Sequence, residues 1–199
     1  MDDILYRGRI HPKRTEAPYR KGKMLIPDKD IITTGRANPS GINYLYLSND
    51  IDTVFSEVRV WKNCQISVAT IVINEDLHIV DLTNKFHFLR RVSAFDRENN
   101  ALLQDIIAYN DLMDIFIEEI SRPTNPNESA YEYILTQFIC EKIKTFYKDN
   151  ENPTFDGLKF RSSVGNGINY VLFSDKKVTV KDVELYKIKE LKVSYNYEK

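Results

Sequence analysis

Cysteine and long apolar runs are both scarce in this sequence of 199 residues. The two cysteines, Cys64 and Cys140, stand in apolar periodic segments, so we expect buried, reduced thiols and no disulfide. No run approaches the roughly 18–20 apolar residues that cross a bilayer, and the opening MDDILYRGR lacks the pattern of a signal peptide. These absences predict a cytoplasmic protein that does not enter a membrane.

A strong excess of positive charge is also missing. The formal net charge is −1 and the isoelectric point is about 6.3, which argues against direct binding of nucleic acid. The first 40 residues differ, with nine Lys or Arg against five Asp or Glu. This local excess suits a small phosphorylated ligand, although a solvated surface arm would show the same pattern.

The motifs of several common enzyme classes are absent. His11, His78 and His87 lack the spacing of a helical pair and there is no Cys-x-x-Cys, so we predict no metal site. A Gly-x-Ser-x-Gly elbow, a phosphate-binding loop and a dinucleotide-binding fingerprint are missing as well. An ordinary hydrolase, kinase or Rossmann enzyme is therefore unsupported.

The composition is that of one globular domain over residues 1–199, since 42% of the residues are apolar and 29% are charged. Period-2 alternation and turn residues mark the strands. The predicted strands are Tyr6–Ile10, Met24–Pro27, Ile42–Leu47, Gln65–Ile73, Leu77–Leu82, Leu158–Ser162 and Ile168–Phe173, followed by a C-terminal β segment. Because Asn74–Asp76 favours a turn, we expect the fourth and fifth of these strands to form a hairpin.

Helical periodicity marks two central segments. Apolar residues recur at helical spacing from Asn100 to Ile120, and Ser129 with Glu132 forms a capping box that begins the next helix. Strands therefore come first, helices in the middle and strands again last. Without regular βαβ alternation, this order predicts a mixed α/β or α+β sheet fold.

A further short helix is predicted in the stretch GRANPSGINYLYLSNDIDTVFSEVR, which runs from Gly35 to Arg59. Asn49 or Asp50 can cap it. Its apolar positions recur at helical spacing and are Ile51, Val54, Phe55 and Val58. At 100° per residue, Glu57 lies about 60° from Val54 and so borders the buried stripe. We expect its carboxylate to face a cleft.

The remaining candidates are dispersed polar residues, each of which could also be a surface charge, a packed ring or a strand end. They are Arg7, Arg36, Tyr44, Tyr46, Glu57, Ser162, Ser163 and Asn169. An arginine fork can grip a pyrophosphate, and a tyrosine ring can stack on a flat heterocycle. A carboxylate beside a ribose stabilises the positive charge that develops as a base leaves. Together these residue types suit cleavage of a bond between a ribose and a cationic base.

Three separated segments resemble the RES-domain family, the toxin half of RES–Xre toxin–antitoxin pairs. The stretch from Gly35 is similar to the family signature Gly-Arg-x-Asn-Pro-x-Gly, then Tyr-Leu, then a helix with Glu. The matching residues are Gly35, Arg36, Asn38, Pro39, Gly41, Tyr46, Leu47 and Glu57. The segment Leu5–Arg9 resembles the opening Tyr-Arg strand, and Leu135–Lys144 followed by Phe155–Phe173 resembles the later helix and strand pair.

The resemblance implies an ADP-ribosyltransferase-like fold with a mixed, split β-sheet, flanking helices and a helical insertion at about 85–128. It also implies that NAD⁺ is a substrate which loses nicotinamide, with inorganic phosphate or water as acceptor and no cofactor. Growth arrest of the bacterial cell would follow. One departure lies in the loop from Thr34 to Gly41, which we call the signature loop. Thr34 and Ala37 stand there in place of the glycine and the aromatic residue of many members.

Carried over to this sequence, the resemblance assigns roles to the polar residues. Arg36 and Arg7 would hold the NAD⁺ phosphates or ribose, Tyr46 would position the nicotinamide end and Glu57 would stabilise the ribosyl cation. Ser162 would bond to the substrate, with Ser163 as its rival. Tyr44 and Asn169 would complete substrate binding.

The resemblance also implies a separate Xre-family antitoxin as partner and leaves a homo-oligomer open. Two other functions stay open at this point. One is mono-ADP-ribosylation of a protein, although Phe55 stands where such transferases often carry a second acidic residue. The other is a non-catalytic binding module.

Overall fold

Seven strands form one mixed sheet in the computed structural model, which describes residues 4–28, 31, 34–84, 100–123, 132–145 and 155–192. The strands are β1 (Ile4–Ile10), β2 (Leu45–Ser48), β3 (Gln65–Ile73), β4 (Ile79–Asp81), β5 (Gly157–Arg161), β6 (Ile168–Leu172) and β7 (Val178–Lys187). Their order in the sheet is β4-β5-β6-β2-β1-β3-β7. Neighbouring strands run antiparallel, except β4 and β5, which are parallel. The predicted mixed α+β class is confirmed.

Three α-helices accompany the sheet in the described part of the chain. They are α1 (Ile51–Glu57), α2 (Asn100–Ser121) and α3 (Ile134–Lys144). The helical pattern from Asn100 to Ile120 is thus confirmed. In the predicted capping box, Ser129 lies outside the described residues, as do 85–99 and 124–128 of the interval predicted to be an insertion. No described helix is both long and apolar enough to cross a membrane.

Alternation along the strands divides the core between the two faces of the sheet. On β2, Leu45 and Leu47 point to one face and join Leu5 in a buried cluster. Tyr44 and Tyr46 point to the other face, where α2 and α3 pack. Both cysteines are free and buried, as their apolar surroundings predicted.

The sheet is nearly divided at its centre. Between β1 and β2 the described residues form one registered pair, Tyr6 opposite Ser48. We call β1, β3 and β7 the β1 half, and β2, β6, β5 and β4 the β2 half. Helix α1 packs on the β1 half, where Val54 and Ile66 share a buried cluster, whereas α2 and α3 pack on the β2 half. A gap therefore opens between the two packed regions.

The predicted hairpin between Gln65–Ile73 and Leu77–Leu82 is wrong. Both edges of β3 are occupied, one by β1 and the other by β7. Strand β4 instead crosses to the far edge of the sheet and pairs with β5. A turn sequence between two strands favours a hairpin, but here pairing with long strands on both sides of β3 prevails.

The predicted strand Met24–Pro27 is also wrong, because a 3-10 helix spans Lys21–Met24. Arginine side chains of β1 donate hydrogen bonds to backbone carbonyls of this segment, so these carbonyls do not pair with a neighbouring strand. The Arg7 guanidinium donates to the carbonyl of Leu25 at 2.6 Å, and that of Arg9 donates to the carbonyl of Lys23 at 3.0 Å.

Gly157→Ala should lower the free energy of unfolding by about 1–3 kcal/mol or more. A Cβ at this position would lie 2.1 Å from the carbonyl oxygen of Val171 and 3.1 Å from the Cα of Leu172, both in the backbone of β6. Chemical denaturation followed by circular dichroism measures the loss. Gly22→Ala is the control, because a Cβ there meets no atom within 4 Å. Equal stabilities of the two variants would contradict the prediction.

Candidate active site

A cleft of about 300 Å³ lies where the two halves of the sheet separate. Its volume is at the lower end of the range for small-molecule sites. Six of the eight predicted site residues line it, namely Arg7, Arg36, Tyr46, Glu57, Ser163 and Asn169. They come from β1, β2, α1, β6 and two loops, so the fold brings together residues that are far apart in the sequence.

Glu57, at the end of α1, is held by the β2 half. Its Oε1 accepts hydrogen bonds from Ser162 Oγ at 2.6 Å and from Asn169 Nδ2 at 2.5 Å. Its Oε2 accepts none from the described residues. The carboxylate is solvent-exposed, and the two bonds fix its direction at the edge of the cleft.

Asn169 is itself oriented by a buried hydroxyl. Ser48 Oγ donates to Asn169 Oδ1 at 2.7 Å, and the two residues are directly opposite each other on β2 and β6. Because the amide oxygen is occupied in this way, the NH₂ group must point to Glu57.

The turn that carries Ser162 is attached to the start of α1. Ser162 Oγ accepts from the backbone N–H of Gly165 at 2.8 Å, and Thr53 Oγ1 accepts from the N–H of Gly167 at 3.0 Å. Asp50 caps α1 by accepting from the N–H of Thr53 at 2.7 Å. Glu57 and its partner Ser162 are thus placed by the same helix.

Arg36 reaches the cleft from the signature loop. Its Nη2 donates to Ser163 Oγ at 3.2 Å and its Nη1 to the carbonyl of Ile120, at the end of α2, at 2.9 Å. Its guanidinium lies 5.8 Å from the ring centroid of Tyr133. The two adjacent serines therefore divide their work, since Ser162 bonds to Glu57 and Ser163 to Arg36.

Tyr46 holds the signature loop through its hydroxyl. This group donates to Asn38 Oδ1 at 2.6 Å and accepts from the N–H of Ala37 at 3.1 Å. Burial raises the pKa of Tyr46, so the phenol stays neutral. A Cβ on Gly35 would lie 2.5 Å from the same hydroxyl, which explains why glycine stands there.

Arg7, on β1, is among the residues that line the cleft, and its Nη1 donates to the carbonyl of Leu25. Burial and the neighbouring charge of Arg9 lower its pKa to about 10, with Asp175 acting in the opposite direction. The guanidinium therefore remains cationic at neutral pH.

Comparison with known proteins identifies a family over most of the chain. The family model of the RES domain matches residues 5–194, which include every residue of the cleft named above. The chain belongs to the RES domain family. No curated protein matches it. The chain is similar to one from the crystal structure of the M. tuberculosis MbcT–MbcA toxin–antitoxin complex, with 13% identity and a TM-score of 0.46, covering 94% of this chain and 84% of that one.

Tyr44 lies apart from the cleft of this RES domain, although it was a predicted site residue. It is buried beneath α3, and its hydroxyl donates to Glu141. Burial and this hydrogen bond raise its pKa. Because residues two apart on a strand share a face, Tyr44 and Tyr46 were indistinguishable in the sequence.

Other residues that support the site of this RES domain were not predicted. Gln137 Nε2 donates to the carbonyl of Gly35 at 2.9 Å, and Thr136 Oγ1 to that of Arg36 at 2.7 Å. Both residues lie on α3. The sequence of this segment indicated a helix and a resemblance to the family, but it did not indicate a role for these two side chains. Ser48 had no signal beyond its place at the end of a strand.

Tyr46→Phe should lower the free energy of unfolding by about 1–3 kcal/mol, because Asn38 Oδ1 and the buried N–H of Ala37 lose their partner. Urea denaturation measures the difference. Tyr186→Phe is the matched control, since that hydroxyl bonds to Glu184 at the exposed surface and its loss should change stability by less than about 0.5 kcal/mol. Equal effects would argue against a structural role of the Tyr46 hydroxyl.

Proposed function

We propose that this RES domain cleaves NAD⁺ between nicotinamide and ribose. One observation carries the proposal: Glu57 is held through Oε1 by Ser162 and Asn169 in a cleft that Arg7 and Arg36 also line. Its Oε2 accepts no hydrogen bond from the described part of the chain, and a fixed carboxylate of this kind stabilises developing positive charge without reorganising. Nearby guanidinium groups suit a substrate that carries phosphate.

In the proposed reaction the bond between ribose C1′ and the nicotinamide nitrogen breaks. Its electron pair goes to nicotinamide, which leaves as a neutral molecule, and the ribose becomes cationic in character. Glu57 Oε2 faces this charge, as carboxylates do in glycoside cleavage. Water or inorganic phosphate then adds at C1′ to give ADP-ribose and a proton, or ADP-ribose carrying a phosphate on C1′.

Arg7 and Arg36 would bind the pyrophosphate of NAD⁺. The ring of Tyr46 would contact the nicotinamide end, because its hydroxyl is already engaged with Asn38 and Ala37. The active site needs no metal for this chemistry, since the leaving group departs uncharged.

A small acceptor is favoured over a protein acceptor. Phe55 stands two residues before Glu57 and packs edge-on against Tyr186, with ring centroids 5.7 Å apart. This position therefore offers no carboxylate to engage a protein side chain, which weighs against a mono-ADP-ribosyltransferase.

We further propose a toxin that acts in the cytoplasm by depleting NAD⁺ and that is neutralised by a separate Xre-family antitoxin. Membership of the RES domain family supports this role. Expression of the chain alone should arrest bacterial growth. We expect a gene for an Xre-family protein beside its own, and co-expression of that protein should restore growth. Growth arrest without a fall in cellular NAD⁺ would contradict the proposal.

Glu57→Gln should lower kcat for nicotinamide release by about 100-fold or more, because the amide keeps the shape but loses the charge. Purified protein is incubated with NAD⁺, with and without inorganic phosphate, and nicotinamide is quantified by chromatography. Asp52→Asn is the control, since it removes an exposed carboxylate from the same helix. Full activity of Glu57→Gln, or no turnover by the unmodified protein, would refute the proposed reaction.

The two serines should give different kinetic defects. Ser162→Ala removes a donor to Glu57 and should lower kcat by about tenfold, whereas Ser163→Ala removes one acceptor from Arg36 and should mainly raise KM for NAD⁺. Initial rates over a range of NAD⁺ concentrations separate the two parameters. Identical changes in both variants would show that the hydrogen bonds do not divide the work as described.

A further inference from the structure

The end of α1 has a backbone conformation that normally belongs to glycine. The N–H of Val60 donates to the carbonyl of Phe55 at 3.2 Å, and the N–H of Arg59 to that of Ser56 at 3.1 Å. This pair of bonds is the Schellman motif, which places the residue after the helix in the left-handed region. That residue is Arg59, with φ of 53°.

Arginine is a costly choice at this position. Glycine adopts the left-handed region without a steric penalty, and asparagine tolerates it better than other residues. Among the described residues, Arg59 and Asn63 are the two non-glycine residues with positive φ. A residue held in an unfavoured conformation beside a site calls for a role of its side chain.

Arg59 lines the cleft together with Arg7, Arg36 and Glu57. No other charged residue of the described chain lines it. With three arginines and one glutamate, the described part of the lining carries a net charge of +2. A diphosphate carries the complementary negative charge and is attracted by the arginines. The same positive charges offset the repulsion between the diphosphate and the carboxylate of Glu57.

We infer that Arg59 is a substrate-binding residue which, with Arg7 and Arg36, holds the diphosphate of the substrate. The identity of the substrate as NAD⁺ rests on the proposed function, but recognition of a diphosphate does not require turnover. The position of Arg59 two residues after Glu57 links the two roles, because the same helix end that presents the carboxylate presents the cation.

A structural explanation would be that Arg59 only offsets the partial negative charge at the end of α1. That explanation and ours predict different results for replacement by glycine. If the cation served the helix alone, Arg59→Gly would leave diphosphate binding unchanged. If it binds substrate, Arg59→Gly relieves the backbone and weakens binding.

The test is calorimetric titration of the full chain with ADP-ribose and with inorganic pyrophosphate. For Arg59→Gly we expect binding weaker by about tenfold or more and a melting temperature equal to or above that of the unmodified chain. Asn63→Gly is the matched control, because it relieves the same conformation at a residue outside this cleft. It should bind both probes as the unmodified chain does. Arg59→Lys should show intermediate affinity, since it keeps the charge but loses the fork.

Two results would overturn the inference. One is binding of both probes by Arg59→Gly with unchanged affinity, and the other is an unmodified chain that binds neither probe. Nicotinamide release is measured separately, and there Arg59→Gly should raise KM more than it lowers kcat. Absence of NAD⁺ turnover with intact, Arg59-dependent binding of ADP-ribose would refute the proposed reaction and leave the role of Arg59 standing.

Discussion

The hydrogen bonds from Ser162 and Asn169 to Glu57 hold the two halves of this molecule in register at the point where function is expected. Glu57 belongs to the helix that packs on the β1 half, and both donors belong to the β2 half. Since one registered strand pair joins the halves directly, this carboxylate is both a link between them and the group best placed to act on a ligand. The geometry of the cleft and its chemistry therefore depend on the same few atoms.

The signature loop depends on a second layer of contacts, from elements far along the chain. Tyr46 supports the loop from β2, while Gln137 and Thr136 support it from α3. Arg36 is bonded at its guanidinium to the end of α2. A short loop rich in Gly, Pro and Asn would not hold an arginine in one place by itself, and here two helices and a strand supply the rigidity.

Much of this arrangement could be predicted from the sequence, because local patterns determine it. The alternation of Tyr44 to Leu47 indicated which side chains share a face, and the helical position of Glu57 indicated that it borders the core. Strand partners could not be predicted in the same way, since the pairing of β4 with β5 depends on which sheet edges remain open after β3 is flanked on both sides. For the same reason Ser48 was overlooked, because its value lies in standing opposite Asn169 on a strand more than a hundred residues later.

Among the described residues, one registered pair joins β1 to β2. The sheet therefore has its weakest backbone pairing at its centre. Helix α1 packs in one half and helices α2 and α3 pack in the other, whereas the cluster of Leu5, Leu45 and Leu47 on the opposite face belongs to both halves. The gap on the helix-bearing face can therefore change with little loss of backbone pairing. Mutations on that face can therefore widen or narrow the gap while the shared cluster stays intact. Evolution can thus change the shape of the ligand that the cleft accepts, while Glu57 and its donors Ser162 and Asn169 keep their positions.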